Sequence, residues 1–552
     1  MNRQYRFASE SRISIQDGRN LVRFAADGLC PPLAFSGLLG QAGEALREML
    51  LVCHSVVTLN HRPYQNKSSD EVRYQLVRND TSLLAECLMQ QEAGSSNGVE
   101  RVYRELDRLQ RQSRSLLRPY YKARQQYVDY VLQHRKESWL AGLPVISVNA
   151  DGLILEGLSR DESVYTRLTF GSEAFESVTA LEYGSGCIDY TAELFGDLMK
   201  LRAYRPSAIE VVNKASASAS EDYRERSLDV PDSWVRTLLQ VNTALTKALT
   251  VFRLQAMDLH NLCLLLRQSR DKAGRLKFVL QPDKPVRIEL AGTDKILECP
   301  RTLYEGTEAR DYVLWDRQRL LLLEPLIPVV DTFTVSLYGT GMPAFFTAAA
   351  GALTLCLGMT GWKAGDWSRQ GAVNLMHPDP QVTEFMKIRA LKIVQKSSRE
   401  SAASVAAQLE VSPELAGAIL NACVQAGELC YAPERNLYYA RSLQLTPEQA
   451  QSLLYGSPVE ARASRLLEQG LVAIDDVRVH DGYTHLLGSV QEKVIQYQPD
   501  LILDAQQQLV NGSCYCRFYK RNKLKQGPCE HILALRMFYS SNNELVNEQI
   551  AD

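Results

Sequence analysis

Ser513-Cys514-Tyr515-Cys516 and, after twelve intervening residues, Cys529-Glu530-His531-Ile532-Leu533 form the stretch from which the rest of this chain is read. Three thiols and one imidazole make a complete tetrahedral ligand set for zinc, with no coordination position left for water or substrate. The cofactor expected is therefore one structural Zn2+ ion held by Cys514, Cys516, Cys529 and His531. A catalytic ion would need an open position, so the motif points to a binding module rather than a metalloenzyme. Cys514 and Cys516 are two apart and would share a face on a strand. Pro528 sets up a turn into a run with apolar residues at helical spacing, Ile532, Leu535 and Phe538 or Tyr539. The expected unit is a small ββα zinc domain over 455–545. Zinc would supply much of its folding free energy, on the order of 10 kcal/mol or more.

Between the ligand pairs lies Arg517-Phe518-Tyr519-Lys520-Arg521-Asn522-Lys523-Leu524-Lys525. Five of these nine residues are basic and none is acidic. Cations interleaved with aromatics suit contact with a nucleic-acid backbone and base stacking. The candidate contacts are Tyr515, Arg517, Phe518, Tyr519, Lys520, Arg521, Lys523 and Lys525. The same loop also suits an acidic protein surface, or simply keeps a small domain in solution. His480 and His485, five apart in strand-like sequence, are expected to point to opposite faces.

The CxC…CxH arrangement, with alternating strands upstream from Val477 and an apolar helix after His531, resembles the SWIM zinc finger over roughly 471–540. The four ligands carry over one for one. The resemblance implies binding of DNA or proteins. Phrases further upstream are similar to a bacterial family of SWIM zinc finger proteins: Phe35-Ser-Gly-Leu-Leu-Gly, Ser159-Arg-Asp-Glu-Ser-Val-Tyr, Pro231-Asp-Ser-Trp-Val-Arg, Tyr338-Gly-Thr-Gly-Met-Pro and Gly361-Trp-Lys-Ala-Gly-Asp-Trp-Ser. That family is encoded beside a MoxR-type AAA+ ATPase and a von Willebrand A protein, which the resemblance implies as partners. The chain departs from the family pattern at Tyr183-Gly-Ser-Gly-Cys-Ile-Asp.

A chain of 552 residues with 45% apolar content has room for several packed cores. Its formal net charge of −2 excludes whole-molecule electrostatic binding of nucleic acid, so any such activity belongs to a local patch. Nine of the twelve cysteines lie outside the ligand set, scattered in apolar surroundings. They read as core residues of a reducing compartment, which with the absence of an apolar leader gives a cytoplasmic expectation and no membrane partner.

The overall expectation is a multidomain α+β protein. Residues 1–145 read as a helical N-terminal region, with Leu46, Leu50, Cys53 and Val57 on one stripe and a ridge of arginines from Arg101 to Arg118. Residues 146–275 read as an α+β domain. It holds a hairpin turning at Asp151-Gly152, a strand at Tyr165–Phe170, and helices near 190–203 and 232–267. Residues 276–376 read as mostly β, with a strand at Leu320–Leu323 and two buried strands around a turn in Thr332–Trp362. His377-Pro-Asp-Pro380 reads as a linker. Residues 383–443 run helix, helix, turn, helix, hairpin, an order that resembles a winged helix. Its second helix offers no Arg or Lys, and its wing only Arg435, with Arg441 just after. Protein contact and DNA reading both remain open for it. Asp161-Glu162 reads as turn and cap chemistry. No Walker loop, HExxH or GxSxG is present, and no catalytic residue is assigned.

Overall fold

Residues 145–158 carry almost no polar alternation, and every one of the strand residues in this stretch is buried. A strand buried on both faces needs a layer on each side, and this requirement organises the molecule. In a computed structural model, residues 2–58 and 143–541 are described apart from short stretches, the longest being 214–223 and 368–380. They belong to one compact unit, Met1–Leu59 with Ala141–Asp552. The protein is mixed α/β and multidomain, with several separate sheets. The arginine ridge at 101–118, the alternating Ser and Ala of 216–220 that read in the sequence as a small-residue loop, the 377–380 linker, and Lys523 and Lys525 lie outside the described residues.

The central sheet has eight strands, all antiparallel. Their order is Thr250–Gln255, Thr332–Leu337, Ala344–Ala350, Leu353–Met359, Val164–Gly171, Gly152–Leu158, Val145–Asn149 and Gly184–Cys187. The sheet runs across the border expected at 275/276. Its hairpin turns at Ala150-Asp151 into Gly152, whose φ is +124°. A Cβ there would stand 1.9 Å from the Phe170 carbonyl oxygen, so the turn requires glycine.

One face of this sheet carries the helix Gly43–Val57, whose expected stripe of Leu46, Leu50, Cys53 and Val57 is buried. Gly157 admits it: a Cβ would stand 2.7 Å from a Val57 methyl group. The other face carries Glu156 and Arg167, directly paired across two strands. They meet the helix Asp232–Ala244 through Asn242, and the segment 429–441.

Several expectations change. Residues 2–39 form four strands, not helices. The helical stripe begins only at Leu46, and the alternating burial of Ala34–Leu39 has period two. The long helix expected over 232–267 is two, Asp232–Ala244 and Ala256–Gln268, with the strand Thr250–Gln255 between them. Thr250, Phe252 and Leu254 point inward while Val251 and Arg253 point out, a period-two pattern. Among the described residues of 190–203, Leu194–Leu198 is the helical part. Leu320–Leu323 lies in a 3-10 helix, Arg317–Leu326, because Leu320, Leu323 and Leu326 recur every three residues and stack on one buried face. The apolar run from Thr332 makes three strands, since Gly351 at φ +60° folds its second half into a hairpin.

The segment from Glu384 is ordered as expected: helix Glu384–Ser397, a two-residue strand Arg399–Glu400, helices Ala402–Leu409 and Pro413–Gln425, and strands Leu429–Ala432 and Leu437–Ala440. The Ser412 hydroxyl caps the third helix by accepting from the Leu415 N–H at 3.2 Å. Gly427, at φ +77°, ends it. This segment is bound closely to the central sheet. Arg441 Nη1 lies 2.5 Å from Glu156 Oε2, both side chains being buried. The Tyr439 hydroxyl donates to Asp151 Oδ2 at 2.6 Å. Arg167 donates to the Tyr431 carbonyl, and Arg435 pairs with Glu173 and Asp151. The third helix packs on Asp232–Ala244.

Asp161 and Glu162 act as turn and cap groups. Asp161 accepts from the Ser159 and Ser163 hydroxyls, and Glu162 from Ser233 and Thr237 at the start of the helix Asp232–Ala244. Among the described residues, no helix is long and apolar enough to cross a membrane.

Candidate metal centre

The C-terminal module opens with the helix Pro458–Glu468. A sheet follows, ordered Val472–His480, Tyr483–Glu492, Asp500–Leu503, Leu509–Ser513, with Ile495–Tyr497 paired to the end of the second strand. The helix Glu530–Ser541 lies against this sheet. Gly488 allows the approach: a Cβ there would stand 2.3 Å from Leu535 Cδ1 and 2.6 Å from the Ala473 carbonyl oxygen.

Four side chains converge where the last strand leaves the sheet. Cys514 follows that strand directly, and Cys516 precedes the short helix Arg517–Asn522. Cys529 precedes the helix Glu530–Ser541, and His531 is that helix's second residue. Both Cys516 and Cys529 stand at helix starts. Their carbonyls accept from Lys520 N and Leu533 N, and the Cys516 sulfur also accepts the Tyr519 N–H at 3.3 Å. The Ile532 N–H plays the corresponding part for the Cys529 sulfur. Amide donors and the positive end of a helix both favour a thiolate.

The ligand atoms of Cys514, Cys516, Cys529 and His531 lie within 4.8 Å of one another, and all four residues are buried. A tetrahedral ion with arms of about 2.3 Å to sulfur sets its ligand atoms about 3.8 Å apart. The Cys514 Sγ to His531 Nδ1 distance is 3.8 Å. Size, donor set and burial fit a single metal ion. The hydrogen bond between Cys514 and Cys529 lowers the Cys514 thiol and raises that of Cys529, while burial raises Cys516.

His531 uses Nδ1 toward the cluster, leaving Nε2 to face Glu492 Oε2 at 3.3 Å. A carboxylate on the outer nitrogen fixes the ring and strengthens its donor atom. Tyr497 packs its ring on the imidazole with centroids 4.0 Å apart. Neither Glu492 nor Tyr497 stood out in the sequence. Glu492 is 39 residues from His531 and reaches it only because its strand ends beside the cluster.

The expected basic loop begins as a helix. Arg517, Lys520 and Arg521 are exposed on it, and Tyr515 is 74% exposed just before it. Phe518 and Tyr519 are not free platforms. Both pack against the core of the module, and the Tyr519 hydroxyl donates to the Gly512 carbonyl at 2.7 Å. Helical period accounts for this, since residues 518 and 519 face the core while 517, 520 and 521 face out.

His480 and His485 share a face rather than opposing each other. His480 pairs with Tyr483 and Arg478 with His485 across one hairpin, so the turn restores the parity that counting along a single strand would lose.

No family model matches the chain, and no curated protein matches it. A solved structure, proliferating cellular nuclear antigen from Entamoeba histolytica, is similar to part of it at 12% identity and a TM-score of 0.28. That likeness covers 42% of this chain and 94% of the other, and at this level it bears no argument about fold or function.

Proposed function

We propose that this protein is a non-catalytic adaptor whose C-terminal module, a SWIM-type zinc finger, holds one structural Zn2+ ion and binds nucleic acid beside it. The observation that carries the reading is the placement of Arg517, Lys520 and Arg521, exposed with Tyr515 on the segment that supplies Cys514 and Cys516. Four protein ligands leave the ion no open position, so it fixes the shape of that segment instead of performing chemistry. Three cations and one exposed aromatic ring suit a phosphate backbone with one stacked base.

The segment 383–443 has the element order of a winged helix, and we read it as a scaffold for protein contact rather than a DNA reader. Its wing arginine Arg435, and Arg441 just after the wing, are engaged by Glu173, Asp151 and Glu156. The helix that would enter the major groove packs on Asp232–Ala244. That internal use favours a second reading, a protein-interaction subunit of an assembly with a MoxR-type AAA+ ATPase and a von Willebrand A protein, in which the cations at 517–521 meet an acidic protein surface.

Fluorescence anisotropy on the full-length protein with labelled single-stranded DNA, single-stranded RNA and duplex DNA separates the two readings. Binding to nucleic acid should weaken with salt. Lys520→Glu with Arg521→Glu should lower affinity about tenfold or more and flatten the salt dependence by roughly 1.4 log units per log unit of salt on single strands. Unchanged affinity and slope in this variant would refute the nucleic-acid reading.

A further inference from the structure

We propose that the exposed face of the helix Glu384–Ser397 is the docking site for an acidic amphipathic helix of another protein. One side of this helix is consumed by its own core, through Ala390 and Val394 with Met386 and Ile393 beside them. The opposite side carries Phe385 and Ile388, which are 68% and 52% exposed, followed by Arg389, Lys392 and Lys396. The spacing puts them on one stripe about 16 Å long, the reach of a partner helix of about three turns.

Charge selects the occupant. Among the described residues no carboxylate pairs with Arg389, Lys392 or Lys396. The one acid on this helix, Glu384, is held by Lys387 at 2.7 Å. The Arg389 guanidinium stands 5.9 Å from the Phe385 ring centroid, so cation and apolar anchor form a continuous surface. The partner must therefore be anionic at one end of its contact and apolar at the other. Ile388 offers nothing to a nucleobase edge, and a phosphate backbone leaves Phe385 and Ile388 uncovered. A second copy of this chain is a poor occupant, because it would bring cations against cations or against the apolar pair. An acidic helix with apolar residues at i, i+3 or i+4 satisfies both halves, in the helix-in-groove manner. The face also stays clear of the contacts that bind this segment to the central sheet, which use the hairpin 429–440, Arg441 and the helix Pro413–Gln425.

The test is a display library of helical peptides about four turns long, selected on the full-length protein and counter-selected on the Phe385→Ser, Ile388→Ser variant. Enriched sequences should combine apolar residues at helical spacing with flanking Asp or Glu. A synthetic copy of the most enriched peptide should lose about tenfold or more in affinity to that variant and to Arg389→Glu, Lys392→Glu, Lys396→Glu. The charge-reversed variant should regain affinity for the same peptide with Lys in place of its acids, a rescue that a misfolded protein would not show. Four results would overturn the proposal: no enrichment over the counter-selection, enrichment of neutral or basic peptides, capture of single-stranded DNA through this face, or concentration-dependent self-association abolished by Phe385→Ser, Ile388→Ser.

Discussion

Replacing Arg441 by Met should detach the 429–440 hairpin from the central sheet. The Arg441 and Glu156 side chains are both buried, 2.5 Å apart at their nearest charged atoms. Glu156 also accepts from the Tyr165 hydroxyl at 2.6 Å and from Asn242 Nδ2 at 3.0 Å. Burial by itself pushes the Glu156 carboxyl up, but the cations of Arg441 and Arg167 and the two hydrogen bonds outweigh it and hold the group below its ordinary 4.5. A carboxyl whose folded value lies below its unfolded value contributes stability above pH 4.5, lost as pH falls through the folded value. Without Arg441 the larger of the two cationic contributions is lost, the folded value rises, and the buried charge is less compensated at neutral pH. Breaking one side of a buried pair costs about 3–5 kcal/mol. That corresponds to an opening equilibrium roughly a hundred to several thousand times larger.

Hydrogen exchange read by mass spectrometry on peptides covering 429–440 and 152–158 measures this opening directly. Exchange in Arg441→Met should accelerate by that factor at pH 7, and the gap from the parent should narrow toward pH 4 as Glu156 takes up a proton. The double variant Arg441→Met, Glu156→Gln removes both charges while keeping an acceptor for Tyr165 and Asn242, and it should recover at least half of the loss. Parent-like exchange in the single variant, or no recovery in the double, would show that the Arg441–Glu156 pair does not hold the hairpin on the sheet.

Two further changes test the C-terminal module. Glu492→Gln removes the charged partner of His531 Nε2, and a chelator competition should show metal affinity about 10–100-fold weaker with stoichiometry intact; parent-like affinity would mean that Glu492 does not orient the ring. Gly488→Ala forces a methyl group against Leu535 and the Ala473 carbonyl, so thermal unfolding of the module should show a loss of about 1–3 kcal/mol, while equal stability would show that the helix Glu530–Ser541 can shift.

The ligand set was legible because its four members fall within eighteen positions and local chain geometry brings them together. The hairpin turn at Gly152 was legible for the same reason, being decided within a few residues. Contacts between distant segments were not. Glu156 and Arg441 are 285 residues apart, and in a sequence Glu156 is one acid in an apolar run while Arg441 follows an aromatic hairpin. The strands of 2–39 were obscured because the strong stripe beginning at Leu46 was extended over residues that do not share its period. Phe518 and Tyr519 looked available for stacking because an extended loop exposes every residue. A helical turn divides the same residues between core and solvent.

The proposed role of the C-terminal module requires Cys514, Cys516, Cys529 and His531 to hold one zinc ion as a closed structural site. X-ray absorption at the zinc edge, with metal quantified on the same full-length sample, tests this most directly. One zinc per chain is expected, in a shell of three sulfurs at about 2.3 Å and one nitrogen at about 2.0–2.1 Å, with no oxygen ligand, lost in Cys514→Ser. A protein purified without zinc, or a shell containing a water oxygen in place of one of the four side chains, would contradict it.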